Sequence, residues 1–518
     1  MEASSLKRWK PFSLLIFYIF LVVGYCALIY LPFVKYPFTF DDWSELARLS
    51  KFHPSLTNYL QFFEPVHNGV FFRPLWLFSI HILYAIFGYH YVGFHVVFFI
   101  LHVANAFLLV YICRHLGVEQ SIAWAVGLLY AVAFRLHGEP FVWFVSVNIF
   151  AGYFFLLLSF VFHFNKKTLA AAAFFMVALL CRESFIFFPF LFLALSWIKT
   201  RKSDSDRNLS NKALWEEGAL YLVIFLLYLT FKMRGRLPSG HGEIYAMGFA
   251  PEFLLRKCAA FYAIFVESLL PAFHFQITKT NVALHFFFFC TVIGLAFDEC
   301  RREKNLRTFL IFILWGIVGL LPAMPLRHVM NGYYLAFSYP AFLVLLMFAI
   351  KRALSYLRLS GFFNPTVWVL TIISATLSLN IAIQMDKSPL LANDYSGNQI
   401  TQAKTVKIVW GELKKLRPEL PDGTVLLFDG INIRAFDREV GVQQWYQNPS
   451  LKVFELKYLV EEGHSFYIRN EIRYPAFGFL GNTPETPIDP KKTLIVRYRD
   501  GELKIFEFTA DYLEKQKK

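Results

Sequence analysis

Apolar runs long enough to cross a membrane recur from residue 12 to residue 384, and they constrain this chain more than any other feature. They fall near 12–34, 74–88, 92–113, 121–136, 141–164, 168–181, 184–198, 213–231, 253–273, 282–297, 306–324, 333–350 and 366–384. In hydrocarbon every backbone polar group needs an internal partner, so runs of about 17–25 apolar residues mean helices. A soluble chain of 518 residues would divide into several cores and would not need a sequence that is 57% hydrophobic with 61 Phe.

The formal charge of +14 would suggest nucleic acid on a soluble protein. Here the excess sits in short loops between apolar runs, as the positive-inside bias requires, so no nucleic-acid partner is expected. The first run is too long for a signal-peptide core and lacks a small-residue cleavage site. It reads as a retained helix with Lys7, Arg8 and Lys10 on the inner side. The six cysteines lie mostly in apolar runs without metal-type spacing, which argues against a disulfide framework or a structural zinc.

Charge also limits the span count. Treating every run as a span gives about thirteen and puts Arg114, Lys166, Lys167 and the cluster Lys199, Arg201, Lys202 outside. If 74–88 and 253–273 lie in the interface instead, about eleven spans remain and these groups all fall inside, together with Arg301, Arg302, Lys304, Lys351 and Arg352. The expected fold is therefore an all-α polytopic membrane protein of about eleven transmembrane helices, with thirteen as the alternative. Interfacial helices are expected in the first outer loop, 35–90. The membrane domain covers 1–384.

The remainder, 385–518, differs in kind. Gln399 to Leu416 reads as an amphipathic helix, and Thr424 to Phe428 as a strand after the turn Pro421-Asp-Gly423. Thr493 to Arg499, then Asp500-Gly501, then Glu502 to Thr509 reads as a hairpin, because Asp-Gly supplies the positive φ of a tight turn. A small soluble α/β domain outside the membrane is expected.

Asp41 and Asp42 stand just past the first span, where a carboxylate pair is costly to place. Asp42-Trp-Ser-Glu45 has capping-box spacing, so Asp42 reads as the cap of a helix running toward Leu49. That leaves Asp41 beside a rigid cap, with desolvation raising its proton affinity as suits a general base. Arg73 opens the interfacial helix and suits a phosphate or lipid headgroup. The other outer groups are Arg135 through Glu139, Arg182-Glu183, Lys232, Arg234, Arg236 and Arg327-His328. His95 and His102, seven apart on one helix face, read as buried contacts within the bundle. Asp41, Glu139 and Glu183 could place oxygens around Mg²⁺ or Mn²⁺, but no cofactor is predicted.

The motifs Phe40-Asp-Asp42, Phe72-Arg-Pro-Leu75, Gly93-Phe-His95 with Leu101-His102, Leu136-His-Gly-Glu139 followed by Trp143, and Cys181-Arg-Glu-Ser184 running to Pro189 have a known likeness. Their order and spacing resemble the GT-C superfamily of integral-membrane glycosyltransferases. The nearest likeness is the protein O-mannosyltransferase and aminoarabinose transferase branch, over roughly residues 10–385. The resemblance implies transfer of a sugar from a polyprenyl or dolichyl phosphate to an acceptor hydroxyl on the outer face, with inversion at the anomeric carbon. It places the catalytic Asp at Asp41 with Asp42 beside it. Substrate contacts map to His137, Glu139, Arg182 and Glu183, with Arg73, Arg327 and His328 as further binding residues. Many members have Asp-Glu where this chain has Asp41-Asp42, and the tail matches no acceptor-recognition domain. The implied partners are membrane lipid, the polyprenyl-phosphate sugar donor and an acceptor that is protein, lipid or polysaccharide. The implied setting is a bacterial inner or plasma membrane, with the site facing the periplasm or exterior. A lipid transporter or flippase, and a non-catalytic membrane scaffold, are the rival expectations.

Overall fold

A computed structural model describes residues 3–64, 72–200, 207–234, 247–271, 279–327, 331–387, 399–462, 465–468, 486–499 and 502–509. Up to residue 387 the described chain is almost wholly helical, and the named strands all lie between 425 and 507. Six helices are long and apolar enough to cross a membrane: Leu15–Lys35, Tyr91–His115, Phe144–Phe164, Ala283–Arg302, Tyr339–Tyr356 and Ser360–Lys387. They mark the chain as a membrane protein. A seventh crossing exists if Gln120–Val132 and Phe134–Val142, bent by 45° at Ala133, count as one.

Several other apolar runs form shorter helices: Thr168–Cys181, Glu183–Trp197, Leu306–Leu320 and Pro74–Phe87. The 15 residues of Leu306–Leu320 reach only about 22 Å at 1.5 Å per residue, against a hydrocarbon core of about 30 Å. The helix Pro251–Leu269 carries Glu252, Arg256, Lys257 and Glu267 and is not among the six.

Charged residues separate to the two ends of this bundle. At one end Lys351 pairs with Glu119 and Glu303, Arg302 with Glu299, and Arg352 with Asp298. The other end of the same helices carries the first loop with the Asp41-Asp42 pair. The helix Val147–Phe164 starts beside Asp42 and ends just before Lys166-Lys167. Tyr339–Tyr356 starts after the turn Gly332–Phe337 and ends past Lys351 and Arg352. Small residues let the elements approach. A Cβ at Gly332 would lie 2.5 Å from the Arg135 carbonyl oxygen, and one at Gly152 would lie 3.0 Å from the Phe185 ring.

The C-terminal part builds two small sheets. The first contains β1 (Val425–Asp429), β2 (Lys452–Glu455), β6 (Thr493–Arg499) and β7 (Glu502–Glu507) in the order β2-β1-β6-β7. β1 runs parallel to both neighbours, and β6 and β7 form the antiparallel pair expected from the Asp-Gly signal, whose turn residues lie outside the described residues. The second sheet is β3 (Leu459–Glu462), β4 (Ser465–Ile468) and β5 (Thr486–Ile488). The amphipathic helix spans Gln399–Leu416, and Gly423 takes the positive φ of 74° that its turn needs.

This part does not stand apart from the membrane helices. Trp43 of the first loop is fully buried against Trp410 and Trp445, with ring centroids at 5.8 and 5.7 Å. Tyr36 and Lys35 both bond to Asp386, at 2.5 and 2.7 Å. Tyr89 donates to Gln444 at 2.8 Å. One continuous apolar core therefore runs from the bundle into the C-terminal helices.

Candidate functional site

The turn Trp143–Ser146, ahead of the helix Val147–Phe164, is the hub of the outer-loop end. Its backbone N–H groups are free to donate sideways because a helix start leaves them without partners in the helix. Phe144 and Val145 donate theirs to the Asp42 carboxylate at 3.2 and 3.0 Å, and Thr39 adds a third N–H at 3.0 Å. The Trp143 indole donates to Asp41 at 2.6 Å. Trp76 donates to the Val145 carbonyl at 2.7 Å and fixes the start of Pro74–Phe87 to the same turn.

The two aspartates thus differ in kind. Asp42 is fully buried and engaged by three amides, so it anchors the loop and is not open to a substrate. This also corrects the capping-box reading. The helix begins at Asp42 itself (Asp42–Ser50), and its carboxylate folds back to Thr39 and across to the turn. Asp41 is half-buried and accepts from the Trp143 indole and from its own backbone N–H. Desolvation pushes its carboxyl up to about 7, helped by the negative charges of Asp437 and Glu45 and opposed by the Trp143 N–H. Phe40, just before it, has φ of 54°, a conformation that costs a non-glycine residue free energy. The Phe40 N–H donates to the Ala435 carbonyl at 2.9 Å, so the C-terminal domain helps hold the strained residue in place.

A cationic centre adjoins this acidic one. Arg182 follows Thr168–Cys181 and is 3% exposed. Its guanidinium carbon sits 5.3, 5.2 and 5.5 Å from the ring centroids of Tyr333, Tyr334 and Phe337. Its Nε and Nη1 donate to Ser184 and Asn148, both at 3.3 Å. Among the described residues no carboxylate pairs with it. Glu183, already paired with Arg73, acts on it from nearby, and the Arg73 charge opposes that help, so the buried cation is only partly compensated, a costly state that an anionic ligand would offset. Arg73 is committed otherwise: it makes a two-pronged ion pair with Glu183, which Lys232 also approaches. The two centres join through rings, with Trp143 and Tyr333 at 6.3 Å.

The structure brings together Asp41, Asp42, Arg73, Arg182 and Glu183, and it places the other expected residues differently. His137 is completely buried in the bundle beside His102 and Tyr130, with ring centroids at 4.5 and 4.7 Å, and is not at the surface. The bend at Ala133 turns its ring inward. Glu139 is half-buried on the same short helix. Arg327 is exposed and stands beside Gly248 and Phe253. His328 lies outside the described residues. His95 and His102 do make buried contacts, to the carbonyls of Tyr36 and Phe141 and of Ala131.

Sequence reasoning missed Tyr333, Tyr334, Asn148 and Asp437. Only the aromatic pair after Asn331-Gly332, at the start of an apolar run, carried any local signal. Among the described residues no group of three or more His, Cys, Asp or Glu is arranged to hold a metal ion. No protein-family model matches the sequence, and no curated protein matches it.

Proposed function

We propose that this chain is a glycosyltransferase of GT-C type that moves a sugar from a polyprenyl-phosphate donor to an acceptor hydroxyl on the extracytoplasmic face. The observation that carries the reading is the pairing of a half-buried carboxylate, Asp41, with a buried guanidinium, Arg182, that makes no ion pair among the described residues, across the Trp143–Tyr333 contact.

The chemistry follows from that pairing. Asp41 takes the proton of the acceptor hydroxyl as its oxygen bonds to the anomeric carbon. The bond from that carbon to the phosphate oxygen breaks, and the electron pair leaves with the polyprenyl phosphate. A phosphate departs as a stable anion and needs little acid help. Base catalysis supplies about 10²–10⁴-fold, and Arg182 faces the charge that grows on the leaving group. Direct displacement inverts the anomeric centre. Asp42 and the Arg73–Glu183 pair hold the walls of the site.

The reading includes a topology. If the short helices Thr168–Cys181, Glu183–Trp197 and Leu306–Leu320 cross together with the residues that flank them, then these, the six long helices, the bent pair and the 28-residue Arg207–Arg234 make eleven spans. Pro74–Phe87 and Pro251–Leu269 then lie in the interface. The basic network falls inside and Asp41 outside, in a bacterial inner or plasma membrane.

One observation favours a second reading, a lipid transporter. The broken helix at Ala133 sits beside buried His102 and His137, and discontinuous helices near buried polar groups mark transport sites. The purified protein with a polyprenyl-phosphate sugar and a panel of acceptors separates the two. A transferase releases polyprenyl phosphate, and a folded Asp41→Asn variant loses that activity about 10²–10⁴-fold. Normal turnover by Asp41→Asn removes Asp41 from the mechanism. Lipid movement without bond cleavage favours the transporter.

A further inference from the structure

Beside the Trp43–Trp410 contact, the C-terminal domain meets the first loop through the segment that leaves the carboxyl end of β1. There Gly430 turns the chain with φ of 74°, a short helical turn runs over Ile433–Phe436, and the helix Glu439–Tyr446 follows. Between them Asp437 and Arg438 both take positive φ, 50° and 59°. Two consecutive non-glycine residues in that region are costly and persist only where the surroundings fix them.

The surroundings do fix them. Ala435 accepts the Phe40 N–H. Trp43 packs edge-on to Trp445, which packs edge-on to Phe436. Gly441 has no room for a Cβ, which would lie 3.1 Å from the Trp43 ring and 2.8 Å from the Phe436 carbonyl oxygen. The Ser44 hydroxyl donates to the Asp437 carboxylate. Phe40, Trp43 and Ser44 flank Asp41 and Asp42 in sequence, so the strained turn is clamped around the acidic pair.

We propose that Asp437, carried in by the C-terminal domain, is a positioning residue for the Asp41 site: its carboxylate holds Ser44 and stands as a second negative charge facing Asp41. This rests on the reading of Asp41 as the base. The groups facing Asp41 are Asp437 from the C-terminal turn, Glu45 and Asp42 from its own helix, and the Trp143 N–H. Those facing Asp437 are Arg438, Glu439, Ser44 and Glu45, and Arg48 is already engaged by Glu45. Burial pushes the Asp437 carboxyl up to about 6, against the pull of Arg438, so it is charged where Asp41 is half-protonated. A negative neighbour keeps a carboxylate basic. The C-terminal domain thus does more than cover the site: its docking sets the strength of the base, and undocking weakens it.

The test reads Asp41 without relying on sugar transfer. Full-length protein in nanodiscs is titrated by pH-difference infrared spectroscopy, and the protonated-carboxyl band absent from Asp41→Asn is assigned to Asp41. Its midpoint, expected near 7, falls by about one pH unit in Asp437→Asn and stays in Asp437→Glu. Asp437→Ser, which keeps a partner for Ser44, replaces the Asn variant if that one does not fold. An unchanged midpoint in a folded Asp437→Asn or Asp437→Ser protein overturns the proposal. If the midpoint moves but wild-type protein consumes no polyprenyl-phosphate sugar, the transferase reading fails and the coupling stands. If sugar is transferred and the midpoint does not move, the reverse holds.

Discussion

The Trp143 indole and the Asp41 carboxylate meet at 2.6 Å, across 102 residues of chain. The contact ties the first loop to the start of the helix Val147–Phe164. It also sets the chemistry of Asp41, because an N–H donor favours the charged form while burial favours the neutral one.

Removing the indole donor makes Asp41 harder to ionise. A base works only when ionised, so the acid limb of the kcat/KM profile for sugar transfer lies near pH 7 in the wild type and moves to higher pH in Trp143→Phe. The expected displacement is about one pH unit, opposite in direction to that of Asp437→Asn. An acid limb that stays in place in a folded Trp143→Phe enzyme would show that the indole does not tune the base.

The same shift has a consequence for stability. A carboxyl raised from 3.8 to about 7 binds its proton more tightly in the folded chain than in the unfolded one. The stability this contributes is fully present below about pH 4 and is lost as pH rises through 7. Asp41→Asn carries no such penalty, so its melting temperature exceeds that of the wild type by a few degrees at pH 8, and the gap closes by pH 4. Burial and the Asp41 charge raise the Asp42 carboxyl as well, but Asp42→Asn also turns an amide NH₂ toward amides that already donate, costing about 1–3 kcal/mol, so at pH 8 it melts lower than Asp41→Asn. Equal melting shifts for the two variants would contradict the division between base and anchor.

Arg73 and Glu183 form a buried pair, and breaking one partner leaves a charge without compensation. Arg73→Met and Glu183→Gln are each expected to destabilise by about 3–5 kcal/mol. The double variant is expected to lose less than the sum, with a coupling of about 1–3 kcal/mol in a double-mutant cycle. Additive losses would mean that the pair carries no mutual stabilisation.

Local sequence revealed some of this architecture and concealed the rest for physical reasons. Helicity of the apolar runs was legible because hydrocarbon permits little else. Span lengths are less so: 121–136 and 141–164 read as two clean runs, yet the backbone breaks at Ala133 and again at Trp143, whose indole bonds across the chain to Asp41. The amphipathic helix Gln399–Leu416 and the β6–β7 pair emerged close to their expected bounds because their signals are periodic and local. Asp41 was visible as an acid where acids are costly. Asp437 was not, because nothing near it in sequence indicates that its turn docks on residues 40–44. The inward turn of His137 was equally hidden, since it depends on the bend and not on the residues beside it.

Arg182 offers the sharpest test of the anion reading. Lysine would keep the charge but lose both the planar face that lies on Tyr333 and Tyr334 and the fork that reaches Asn148 and Ser184. Arg182→Lys is therefore expected to lower kcat/KM for the lipid-phosphate donor by about 10–100-fold, or roughly 1.4–2.7 kcal/mol. If the guanidinium grips the phosphate, free polyprenyl phosphate should inhibit the wild type and inhibit Arg182→Lys correspondingly more weakly. A folded Arg182→Lys enzyme that binds this product as tightly as the wild type would assign Arg182 to the architecture of the bundle and leave the phosphate to another cation, with Lys232 the nearest candidate by its position beside Glu183.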